Sequence, residues 1–184
     1  MGNMEALYNT WKAIGVSGGD LSFFQNFFVK FYQAFIEADR WLQYLNGVKT
    51  TLLVTALALI LGVALGVTVA ILRTAHDQQR PGHRNPVLAV LNLVCKIYVT
   101  VIRGTPMMVQ LLIMGFVIFA SSRNFTMIGT LTLGINSGAY VSEIVRGGLM
   151  SVDKGQMEAG RSLGLGYGTT MRFVIVPQAV KAIL

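Results

Sequence analysis

Five charged side chains stand close together in Asp153–Pro177, DKGQMEAGRSLGLGYGTTMRFVIVP: Asp153, Lys154, Glu158, Arg161 and Arg172. Gly155 to Leu163 is helix-compatible and carries Glu158 and Ala159. Gly164, Gly166 and Gly168 then end that helix, because glycine at alternate positions makes a poor helix interior. The pattern reads as a short charged helix lying across a membrane face, ended by a flexible corner after which the chain re-enters the bilayer. It does not suit bond-making chemistry. No nucleophile–base constellation and no zinc-ligand spacing is found in the chain. Gly164-Leu165-Gly166-Tyr167-Gly168 has the letters of a potassium-filter signature, but the threonine-valine lead is missing and the charge pattern puts the segment on the cytoplasmic side. No Gly-Lys-Ser/Thr follows these glycines, so they form no phosphate loop.

A second group of charges lies in apolar surroundings. Glu143 and Arg146 are i, i+3 and can face each other on a helix. A carboxylate inside a membrane span is a functional candidate. It is equally half of an internal ion pair that holds helices in register, and both readings of Glu143 stand at this point. Arg146, near the cytoplasmic end, reads as structural. His76 and His83 share a Pro/Gly loop with no cysteine nearby, which suits two solvated histidines better than a metal site. Cys95 is the single cysteine, in an apolar run, and reads as a buried, inert thiol.

The elements that hold these residues are membrane helices. Of the 184 residues, 53% are hydrophobic and only 12% charged, against about a quarter charged in soluble domains. The net charge of +7 reads as loop charge on one membrane side rather than as a nucleic-acid footprint. No secretory signal peptide is visible, since Glu5, Trp11 and Lys12 interrupt the start. Residues 1–40 form an N-terminal extension: a mixed stretch, a turn at Ser17–Asp20, then an aromatic run at 21–38. Phe24, Phe27, Phe28, Phe31 and Phe35 recur at spacings of three and four, which predicts an amphipathic helix in the membrane interface that orients the next span. A docking helix for a partner is the other reading.

Residues 41–184 form the transmembrane domain. Spans are expected at about 48–72, 87–120, 129–150 and from 169 to 184. Thr50 to Leu72 is free of charge, about 23 residues or roughly 34 Å of helix, enough to cross the hydrocarbon core. Gly62 and Gly66 offer a close-packing face to another helix. Arg73 to Pro86 reads as a polar loop. Arg73, Arg80 and Arg84 against Asp77 make it cationic, hence cytoplasmic, with the N-terminus outside. The run 87–120 is broken at Arg103–Pro106. Left unbroken it would hold Arg103 in mid-membrane at a cost of a few kcal/mol, whereas Pro106 ends one helix and starts another.

Two motifs in this frame resemble a known family. The loop at 152–168 is similar to the cytoplasmic loop of the membrane subunits of ATP-binding-cassette importers. There the pattern is Glu-Ala-Ala, three residues, Gly, nine residues, Ile, one residue, Leu-Pro. Here Glu158, Ala159, Gly160, Gly164, Val174, Val176 and Pro177 occupy those positions, with Gly160 in place of the second Ala. The string RGTPMMVQLL, with Arg103, Thr105, Pro106 and Gln110, closely resembles the RGTP-x-x-VQL motif of polar amino acid permeases, and GAYVSEIVRGGLM runs the same likeness into the loop. The resemblance covers about Trp41 to Leu184.

The resemblance implies an all-α polytopic bundle in a bacterial cell membrane that serves as the translocation subunit of a polar amino acid importer. It implies a C-terminally incomplete chain, since the family has more of the last span and one further span. Coupling to the ATPase would fall to Asp153, Gln156, Glu158, Ala159, Gly160, Arg161 and Gly164 in a helix over about Val152 to Leu163. The path would involve Thr105, Pro106, Gln110, Asn136 and Glu143. Expected partners are the ATPase, a second permease subunit (identical or related), an extracytoplasmic amino acid-binding protein and the lipid bilayer, but no nucleic acid. No cofactor is expected on this chain, with ATP and magnesium held by the ATPase. An ion-coupled secondary transporter using Glu143 and a non-transporting membrane scaffold are the alternatives.

Overall fold

The computed structural model describes residues 2–79 and 85–183, so Arg80, His83 and Arg84 of the expected cationic loop lie outside the described residues. Among those described, every regular element is helical. The chain divides into two compact units, Met1–Leu52 and Leu53–Leu184. The division falls inside a helix rather than at the expected 40/41 boundary.

In the first unit, residues expected to be a mixed stretch form a helix, α1 (Gly2–Val16), followed by the Ser17–Asp20 turn and α2 (Phe23–Phe35). Ser22 starts α2 with a capping box, its backbone N–H donating to Gln25 Oε1 at 2.9 Å. Tyr8 and Trp11 of α1 pack on Phe28, Val29 and Tyr32 of α2, with the Tyr8 and Tyr32 rings stacked at 4.3 Å. Sequence periodicity misses α1 because its buried contacts are two aromatic rings rather than a continuous apolar stripe. A 3₁₀ turn at Glu37–Asp39 follows, in which Ala38 and Asp39 both have φ of 54°. That left-handed corner is unfavourable for residues with a Cβ. Side-chain bonds hold it: Glu37 Oε1 accepts from Tyr8 at 2.8 Å and from Lys12 at 2.7 Å, and Arg40 donates to the Gln33 carbonyl at 2.9 Å. The Lys12 ammonium holds the Glu37 carboxyl below its usual range, and Glu37 in turn raises Lys12.

α3 (Arg40–Asp77) is longer at both ends than the expected 48–72 span. It and α4 (Pro86–Gly104) are long and apolar enough to cross a membrane. Asn85 caps α4, accepting from Val87 N–H at 2.9 Å, with Pro86 at the first helical position, where its missing donor costs nothing. After Thr105-Pro106 come α5 (Met107–Ile113) and a π-turn at Met114–Ile118. α6 (Phe125–Ser151) starts four residues before the expected 129, because the Asn124 side chain caps it by accepting from Met127 N–H at 3.0 Å. α7 (Lys154–Ser162), α8 (Tyr167–Thr170), a π-turn at Met171–Ile175 and α9 (Val176–Ile183) complete the second unit.

Glycine decides the helix packing. A Cβ at Gly62 would stand 2.8 Å from Ser137 Cβ, and one at Gly66 would stand 2.6 Å from the Val141 side chain. So α3 and α6 meet through the Gly62/Gly66 face, where only hydrogen permits that distance. On another face α3 packs Val69 against Cys95 and Val99 of α4, and Tyr98 donates to the Ile135 carbonyl of α6 at 2.5 Å. Pro177, which has no N–H and whose ring would strike the carbonyl four residues back, follows the second π-turn. There Val176 N–H donates to Met171 O, five residues back, and the wider turn makes room for the ring.

Candidate functional site: an exposed loop helix and a charged cluster

The loop after α6 is a built object. The Asp153 carboxylate caps α7, accepting from Gly155 N–H at 2.6 Å. The far end closes by a Schellman pattern. Leu165 N–H reaches the Gly160 carbonyl at 3.1 Å, Gly164 N–H reaches the Arg161 carbonyl at 3.0 Å, and Gly164 takes φ of +81°, a value glycine adopts without strain. The helix is therefore three residues shorter than the expected 152–163, with Asp153 as its cap.

One face of α7 is buried through Gly160, which lies against Thr170 of α8. A Cβ there would stand 2.5 Å from Thr170 Cγ2. Two neutral hydrogen bonds tie the loop to other helices: Gln178 of α9 donates to Gln156 at 3.3 Å, and Tyr167 donates to Gln78, just past the end of α3. Burial pushes the Tyr167 phenol up, keeping it a donor. The opposite face is exposed and carries Lys154, Glu158, Ala159 and Arg161. Among the described residues the Glu158 carboxylate has no ion-pair or hydrogen-bond partner.

The expected path residues fall into two groups. Thr105, Gln110 and Asn136 meet at the break between α4 and α5. Gln110 is buried, and its Nε2 lies 2.7 Å from Ile102 O, 3.1 Å from Thr105 O and 2.8 Å from Thr105 Oγ1. Its Oε1 accepts from Asn136 Nδ2 at 3.0 Å. Gln110 thus satisfies carbonyls that α4 leaves open where Pro106 stops it. Pro106 itself is exposed and caps α5. Thr105 and Gln110 edge a pocket of apolar side chains including Val101, Ile113, Met114 and Ile135.

Glu143 stands apart from that group. It bonds Arg73 of α3, and both Arg103 and Arg146 come within 4.0 Å of its other oxygen. Arg146 makes its closer pair with Asp77, at 2.8 Å, and Arg103 also lies over the Tyr140 ring, 5.3 Å from its centroid. Three guanidinium groups thus surround two carboxylates. Sequence reading missed Arg73 and Asp77 because it placed both in a loop; α3 remains helical to Asp77 because Glu143 and Arg146 neutralise those charges. His76, expected as a solvated loop residue, is packed in α3 with Nδ1 3.1 Å from Asn92 Nδ2. No group of metal-binding side chains occurs among the described residues.

An exposed polar helix thus stands between α6 and the last helices of the second unit. Residues 87–184 match the binding-protein-dependent transport system inner membrane component family, and the chain belongs to that family. It is 36% identical over 142 residues to a putative glutamine transport system permease protein of Rickettsia prowazekii, covering 76% of this chain and 60% of that protein. It is 35% identical over 147 residues to the glutamine transport system permease protein of Escherichia coli K12, covering 76% and 61%. It is 35% identical over 149 residues to an arginine transport system permease protein of Corynebacterium glutamicum, covering 73% and 44%. A crystal structure of an amino acid ABC transporter with histidines superposes with a TM-score of 0.60 at 37% identity, covering 77% of this chain and 65% of that one. The chain thus spans less than two thirds of the length of these relatives.

Proposed function

We propose that this protein is the membrane-spanning translocation subunit of an ATP-driven importer for polar amino acids, coupled through residues 152–168 to a separate ATPase. The observation that carries the proposal is the two-sided character of α7. Its inner face is wedged onto Thr170, while its outer face presents Glu158 unpaired between Lys154 and Arg161. A rigid helix with unpaired charge on one side is suited to dock on a partner and transmit its movement. The relatives' glutamine and arginine names support an amino acid as cargo. A second permease subunit would complete the path and a binding protein would deliver the substrate.

Ion-coupled transport through Glu143 is disfavoured by its surroundings, because its carboxylate is already paired with Arg73 and lies close to two further guanidinium groups. The test is co-purification with the candidate ATPase, followed by ATP hydrolysis and amino acid uptake in proteoliposomes with the binding protein. Glu158→Lys is expected to lose ATPase association and both activities together. Uptake that proceeds without ATP and follows a proton gradient would overturn the proposal.

A further inference from the structure

α2 has two apolar faces, and only one is covered. Phe28, Val29 and Tyr32 pack against α1. Phe24, Phe27, Phe31 and Phe35 form a separate stripe, 79%, 62%, 45% and 43% exposed. The stripe is continuous: Phe27 and Phe31 rings lie 6.2 Å apart, Phe31 and Phe35 4.9 Å, and Phe35 and Tyr44 5.2 Å. Tyr44 belongs to α3, so the stripe runs without a gap into the first turns of the membrane-crossing helix, beside exposed Trp41 and Leu45. The left-handed corner at Ala38–Asp39, pinned by Glu37 and Arg40, joins the two helices so that these rings line up.

We infer that this aromatic stripe is a lipid-facing surface, seated in the membrane–water interface at the N-terminal end of α3, with α1 covering the other apolar face of α2. Three observations favour lipid over a protein partner. The stripe joins the part of α3 that begins the crossing. Aromatic rings at such an end are the side chains that settle at headgroup level. Apart from the Tyr44 hydroxyl the stripe offers no hydrogen-bonding group, whereas protein interfaces carry about one hydrogen bond per 100–200 Å². Lys30 flanks the stripe on the side away from α1, and Lys49 lies one turn beyond Tyr44 and Leu45. Both are exposed and suited to anionic headgroups. The sequence groups all five phenylalanines in one stripe; the structure turns Phe28 inward and leaves four.

The test is nitroxide labelling of the full chain, with buried Cys95 replaced by serine, in proteoliposomes of phosphatidylethanolamine and phosphatidylglycerol. F27C and F31C report the stripe, and N26C and Q33C report the polar face. Relaxation by oxygen relative to an aqueous nickel chelate is expected to be several-fold higher at F27C and F31C than at N26C and Q33C. Equal ratios at all four positions would overturn the inference. Protection of the stripe labels from both oxygen and nickel would also overturn it, since a protein would then cover the stripe. F24C, on the first turn of α2, gives an independent reading if a mid-helix label disturbs the helix pair.

Discussion

Substituting Gly160 with alanine puts back the side chain that the importer-family pattern carries at this position, and the structure predicts that it damages this chain. The added Cβ would lie 2.5 Å from Thr170 Cγ2, 2.9 Å from its Oγ1 and 3.2 Å from its Cβ, so the closest approach is about 1 Å short of ordinary carbon–carbon contact. Thr170 has little freedom to yield. It is fully buried, and its hydroxyl donates to the Gly166 carbonyl at 3.2 Å. Overpacking of this kind costs ~1–3 kcal/mol, while alanine in place of glycine inside α7 returns up to ~1 kcal/mol of helix propensity. The net expectation for G160A is a loss of about 1–2 kcal/mol, which for a chain of this size lowers the thermal midpoint by ~2–8 °C. T170S removes the methyl group that makes the shortest contact. The double variant is therefore expected to regain most of the loss, with a coupling of about 1–2 kcal/mol. Thermal unfolding of the four variants in one detergent reads this directly. Co-purification with the proposed ATPase partner tests whether displacing α7 by a fraction of an ångström also changes that association. A G160A protein as stable as wild type, or one that T170S does not rescue, would refute the wedge between Gly160 and Thr170.

Glu143→Gln is expected to destabilise the bundle by ~1–3 kcal/mol, because it leaves the guanidinium of Arg73, whose side chain is 12% exposed, without its carboxylate. Adding Arg73→Gln should recover part of that loss, and a double-mutant cycle on thermal midpoints measures it. Gln110→Leu is expected to cost ~1–3 kcal/mol and to loosen the α4–α5 break, since it removes the amide that faces Ile102 O and Thr105 O; faster backbone hydrogen exchange at 102–110 is the readout. In the N-terminal unit the Glu37 carboxyl is lowered and the Lys12 ammonium raised by their mutual bond. Their pairing should support the α1–α2 contact through neutral pH. It should fade as pH falls below the ordinary carboxylate range, through the lowered range in which the paired Glu37 is protonated, and as pH rises past the ordinary lysine range, where the raised Lys12 loses its proton. Trp11 emission, which reports the Trp11–Phe28 contact, should shift at both limits in the wild type and at neither in Lys12→Met.

Local chemistry was the most legible part of the sequence. Pro106 announces a helix break, the three alternate glycines announce the end of α7, and Gly62 with Gly66 announces a packing face, because each works through its own backbone or its own lack of a side chain. Arg73 and Asp77 were illegible for the opposite reason. A charge after an apolar run looks like the end of a span unless its neutralising partner, here roughly seventy residues away, is known. The role of Gln110 was half visible: its place in a motif marks it out, but the carbonyls it satisfies exist only once α4 has stopped. α1 was missed because it is stabilised by two aromatic contacts and a lysine–glutamate bond formed across a turn.

The joints of the loop are neutral while its outer face is charged. Tyr167–Gln78 and Gln156–Gln178 connect α7 to the end of α3 and to α9 without any ionised group, whereas Lys154, Glu158 and Arg161 face outward. Ionic strength screens exposed charges and leaves neutral hydrogen bonds nearly untouched. Salt is therefore expected to weaken contacts made through the outer face of α7 while leaving its internal linkage to the end of α3 and to α9 unchanged.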